Sequence, residues 1–169
     1  AALLDSARLD PADAVAALDA AGGDIPTGPR VHLTGSNHPD ADVYRAIEEA
    51  GVVIVSEDHD TGDAAWIGAA ADGADLAEVI GGLVDLHFAR TPSSATALSA
   101  QRAASTLAGA TDAGAEVVLA FVRDLDEAPA WDLADQRAAL AERGIPFVAV
   151  ERVRPDEAIT RARHAVVHA

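Results

Sequence analysis

Four short runs rich in Val, Ile, Leu and Phe, each ending in polar residues, alternate with stretches whose apolar positions follow helical spacing. RVHLTG alternates apolar and polar into a glycine, whereas VVIVS, EVVLAFV and IPFVAVE are nearly unbroken apolar runs that suit strands covered on both faces. Between them lie HPDADVYRAIEEAG, with Val43, Ile47 and Ala50 about one turn apart, ATALSAQRAASTLAGATDAGA, and AWDLADQRAALAERG, which Gly144 closes. Strand alternating with helix across short loops implies parallel strands joined by right-handed crossovers. The expectation is an α/β fold: an open, mainly parallel, four-stranded Rossmann-like or flavodoxin-like sheet. Its strands are predicted at 31–35, 52–56, 116–122 and 146–150, with helices on both faces.

Outside this alternation, DPADAVAALDAAGG predicts a leading helix capped by Asp10, so residues 1–29 are read as helix and linker before a domain at 30–169. LAEVIGGLVDLHFA predicts a short helix that Gly81 and Gly82 each weaken by ~1 kcal/mol relative to Ala. RPDEAITRARHAVVH predicts a closing helix. With 169 residues, half of them hydrophobic, one core is expected to suffice.

Composition narrows the function. There is no Cys, so disulfides, zinc–thiolate sites and cysteine-ligated iron–sulfur clusters have no ligands in this chain. Lys is absent, and twelve Arg face twenty-eight Asp and Glu for a formal charge of −16, which argues against nucleic-acid binding. The acid is spread along the chain as a solvated surface, consistent with a high-GC genome or with adaptation to high salt. No apolar run is long enough to cross a membrane and AALLDSARLD has no signal-peptide pattern, so the expectation is a cytoplasmic protein without a membrane partner. No Met occurs, even at position 1, which reads as a processed chain or a piece of a longer one.

In an open parallel sheet, ligands bind beyond the carboxyl ends of the strands. Those ends carry TGSNH, SEDHD, VRDLDE and VERVR. Gly35, Ser36, Asn37 and His38 form a loop before a helix expected near Pro39, read first as plain turn and capping chemistry and second as a place where free amides attract an anion or a carbonyl oxygen. The loop lacks the three glycines of a dinucleotide fingerprint and the Lys of a P-loop. Glu57, Asp58, His59 and Asp60 offer metal ligands, acid–base groups, or merely a polar rim. Because successive residues of an extended segment point opposite ways, a solvated loop is the favoured reading and no metal site is assigned. Asp126 is placed to cap the following helix or to accept a ligand's donor, and Trp131 is read as core before it is read as the wall of a pocket. His32, His87, His164 and His168 are read as satisfied or exposed, and no G-x-S-x-G elbow supports acyl-transfer hydrolysis.

The pieces in their order resemble the 2-hydroxyacyl-CoA dehydratase and benzoyl-CoA reductase subunit family over residues 30–168. RVHLTGSNHPDADVYRAIEEAGVVIVSEDHDTGD looks like its strand, Gly-Ser loop, helix and acidic loop. EVVLAFVRDLDEAPAWDLADQRAALAERGIPFVAVE resembles its following block, and AITRARHAVVH its closing helix. The resemblance implies a Rossmann-like half and, if active, a lyase or acyl-CoA reductase. It also implies an acyl-CoA site at Gly35, Ser36, Asn37, His38, Glu57, Asp58 and His59. Where the family carries cluster cysteines this chain has Asp60 and Asp126, so a [4Fe-4S] cluster is expected in a partner or a missing domain, not here. Three functions follow as expectations: a subunit lending a thioester site, with a homologous dehydratase or reductase subunit as partner; a noncatalytic subunit pairing with an active homologue; or a plain Rossmann-like binding domain.

Overall fold

A computed structural model of the chain describes residues 9–20, 27–59 and 73–167. In chain order the elements are α1 (Pro11–Ala20), β1 (Arg30–Gly35), α2 (Asp42–Glu48), β2 (Val53–Glu57), α3 (Leu76–Phe88), α4 (Ser99–Asp112), β3 (Val117–Arg123), α5 (Glu127–Ala141), β4 (Phe147–Val153) and α6 (Ala158–Val167). All three strand pairings are parallel, in the order β2-β1-β3-β4. The chain leaves β1 toward β2, then returns to β3 on the opposite side, so the connections diverge beyond the carboxyl ends of β1 and β3.

Period-two alternation gives the sheet two unlike faces. Val31, Leu33, Val117, Leu119 and Phe121 point to one side, where they meet Val43, Tyr44 and Ile47 of α2 and Ala162 and Ala165 of α6 in the main apolar core. Phe121 is wholly buried there, worth about 1.5–3 kcal/mol relative to leaving it exposed. Val118, Ala120 and Val122 point to the other side, against Ala110 of α4 and Leu133 and Leu140 of α5. The β1 residues on that second face are His32 and Thr34, both fully buried. Gly109 lets α4 approach them, since a Cβ there would stand 3.2 Å from the His32 ring.

Two predicted boundaries move for local reasons. The α2 helix begins at Asp42 and not near Pro39, because Asp40 Oδ1 first accepts the Asp42 amide in a turn, at 3.0 Å. The α5 helix begins at Glu127, four residues before Trp131, since Pro129 falls in the first turn, where its missing N–H costs nothing. Trp131 is three-quarters exposed, correcting its expected place in the core. No helix among the described residues is long and apolar enough to cross a membrane.

Candidate functional site

Gly35 ends β1 with φ +111°, a region side chains rarely adopt, and a Cβ there would meet the Phe121 carbonyl oxygen at 2.5 Å. The turn then folds back on β3. Ser36 N–H donates to the Phe121 carbonyl at 2.9 Å, and the Arg123 N–H donates to Ser36 Oγ at 2.9 Å. The Ser36 amide is thus spent within the fold on turn chemistry and is not a free anion donor.

The acidic end of β2 is not a solvated loop. Asp58 and His59 are buried and Glu57 is half-buried. Alternation still sorts them: Asp58 turns toward α4, and Glu57 and His59 turn toward α2. Asp60 lies outside the described residues.

Asp58 sits in a polar network enclosed by the second face of the sheet. Arg102 Nη2 donates to Asp58 Oδ1 at 3.1 Å, and the Thr106 hydroxyl donates to Oδ2 at 2.5 Å. Gln136 Nε2 donates to Thr106 Oγ1 and Thr34 Oγ1 at 2.9 and 3.2 Å. His32 Nδ1 pairs with Ser56 Oγ at 2.7 Å, and its Nε2 stands 3.6 Å from Asp58 Oδ2, too far for a hydrogen bond. His32 is therefore buried and satisfied on one nitrogen. Burial works to raise the Asp58 pKa, but the His32 ring, the Arg102 charge and the Thr106 hydroxyl outweigh it and hold the carboxyl well below the usual carboxylate range. Arg102 Nη1 also donates to the Pro92 carbonyl at 2.7 Å, and its Nε lies 3.5 Å from Asp132 Oδ2. One guanidinium thereby ties the loop before α4 to β2 and α5.

On the other face, Tyr44 Oη donates to Glu57 Oε2 at 2.5 Å, and His59 Nε2 lies 2.8 Å from Tyr44 Oη and 3.0 Å from Glu57 Oε2. With two oxygens at Nε2, the ring proton is assigned to that nitrogen. Burial acts to raise the Glu57 pKa, yet the His59 and Tyr44 hydrogen bonds lower it overall.

A cavity of about 190 Å³ opens between the β1 and β3 ends on the α4–α5 side. Gly35, Ser36, Asn37, Asp58, His59 and Asp126 line it, together with Arg102. Asp126 occupies the position before α5, but its side chain makes no capping hydrogen bond. Of the residues predicted from sequence, Glu57 backs His59 from behind, while His38 turns to the α2 side and lines a different cavity. Arg102 and Thr106 of α4 and Gln136 of α5 were missed, because polar residues on Ala-rich helices read as their solvent faces.

The family model for 2-hydroxyglutaryl-CoA dehydratase, D-component, matches residues 8–166 of the chain. The chain belongs to that family. No curated protein matches it. The iron–sulfur cluster that the dehydratase family implies does not fit the donors present. The chain has no thiol, and no three His, Asp or Glu converge on a metal position among the described residues.

Proposed function

We propose that this dehydratase-family chain is a subunit that lends an acyl-CoA thioester site, while any [4Fe-4S] cluster is held by a homologous partner subunit or by a further domain. The name of the matching family describes one component of a larger enzyme, which supports a partnered role. The observation that carries the reading is the cavity at the β1–β3 divergence, floored by Arg102 and walled by His59 and Asp126. At about 190 Å³ it is smaller than the ~300–1,000 Å³ sites that enclose drug-sized ligands, so it suits the acyl end of a thioester and leaves the nucleotide outside.

Within it Arg102 supplies positive charge toward a thioester carbonyl oxygen. Asp126 accepts from a 2-hydroxyl, and His59, oriented by Glu57 and Tyr44, accepts or returns a proton. Calorimetric titration with a 2-hydroxyacyl-CoA tests this. The acyl ester binds at least tenfold tighter than free CoA, and Asn37→Trp, which plugs the mouth, removes that difference. Equal affinity for both ligands, or an unchanged difference in Asn37→Trp, overturns it.

The missing thiols support a second reading, a noncatalytic subunit pairing with an active homologue. Turnover by the reconstituted pair that is indifferent to both Asn37→Trp and His59→Phe selects that reading.

A further inference from the structure

A second cavity, of about 280 Å³, opens on the α2–α6 side of the same sheet edge, across the sheet from the first. Its walls are apolar: Val43 of α2, Phe121 and Val153 at the strand ends, and Pro155, Ala158 and Ile159 at the start of α6. One polar group there is left unsatisfied. His38 is 2% exposed, lines this cavity, and leaves both ring nitrogens buried without a hydrogen-bond partner among the described residues. Its ring is held edge-on against Tyr44 and His59, with centroids 5.3 and 5.2 Å away. A buried imidazole with two orphaned nitrogens lowers stability, and a ligand that meets one of them recovers that loss.

The charges at the mouth select the ligand. Arg123 has its Nη1 engaged with the Asn37 carbonyl at 3.0 Å, and Asp42 is paired with Arg45 at 3.0 Å. Asp40 and Asp124 also line the cavity, and among the described residues neither is in an ion pair, so three carboxylates face the one Arg123 guanidinium at the rim. Burial first, then the His59 charge, lowers the His38 pKa to about 3, with Arg123 acting the same way and Glu57 and Asp40 opposing. The ring is neutral at pH 7, offers a lone pair, and does not repel a cation.

We infer that this cavity is a second ligand site, which takes a small aliphatic ammonium compound, its alkyl body on the apolar walls and its N–H groups shared between His38 and the rim carboxylates. The site uses none of the residues that line the thioester cavity, so it stands or falls independently of the proposed function.

Titration of the full chain with n-butylammonium chloride, followed by the ring nitrogen resonances of His38, tests it against sodium butyrate and n-butanol at matched ionic strength. The expected result is a saturable shift with butylammonium, at least tenfold weaker binding of butanol, and none of butyrate. Calorimetric titration, which does not depend on the His38 resonances, shows that His38→Phe abolishes the binding, while the variant raises the thermal midpoint of the free protein, because two orphaned nitrogens are removed. Asp124→Asn, on the surface, weakens binding at least threefold without changing the midpoint. Absence of any saturable shift, preference for butyrate, or butylammonium affinity unaltered in both variants overturns the inference.

Discussion

Arg102 Nη2 lies 3.1 Å from Asp58 Oδ1 with both side chains almost wholly removed from solvent. Such a pair contributes little net stability against an apolar replacement, but each member is costly without the other. Asp58→Asn therefore destabilises the fold by about 3–5 kcal/mol, read as a lower urea midpoint at unchanged slope. The double variant Asp58→Leu, Arg102→Met loses less than the sum of the single losses, by roughly 1–3 kcal/mol.

Stability falls with pH in two separable stages. His38 titrates at about 3 in the folded protein against 6.5 when unfolded, so below pH 6.5 the unfolded chain takes the proton first. That linkage removes roughly 3 kcal/mol between pH 6.5 and 4. Asp58 and Glu57 have folded pKa values below their unfolded ones, so their contribution is complete above pH ~4–5 and is lost only as pH falls further. Urea denaturation across this range shows both stages in the parent, and only the second in His38→Phe.

Gly35→Ala sets a methyl against the Phe121 carbonyl in a backbone conformation that disfavours it. The expected loss is about 1–3 kcal/mol, accompanied by faster amide exchange at Ser36, whose hydrogen bond to Phe121 depends on that turn.

Leu125 has φ +65° in the loop between β3 and α5, and its side chain is almost fully exposed. Nothing in its packing offsets the strain. Leu125→Gly is expected to raise stability by about 0.5–1 kcal/mol, measured as a higher denaturation midpoint.

The strands were readable because burial on both faces demands continuous apolar runs. β1, β2 and β3 fall within one residue of their predicted bounds, and β4 runs three residues further, through Glu151 and Arg152, whose side chains are exposed. The site was readable in position but not in wiring. Alternation correctly set Asp58 opposite Glu57 and His59, yet local sequence has no means of showing that both directions are covered. The cover comes from Arg102 and Thr106, more than forty residues downstream, and from Tyr44 on α2. Trp131 misled because a lone indole beside an apolar strand resembles a core residue, whereas Asp132 and Leu133 are the buried neighbours on that turn. The unlike fates of His38 and His59 depend on the turn after Gly35, whose conformation only the packed sheet determines.

The most direct test of the thioester site is amide hydrogen exchange of the chain with and without a saturating 2-hydroxyacyl-CoA. Added protection is expected at residues 35–37, at Asp58 and His59, and in the loop around Ser94 and Ala95 that lines the same cavity. Protection confined to α2, α6 or the far edge of β4, with those segments unchanged, contradicts it.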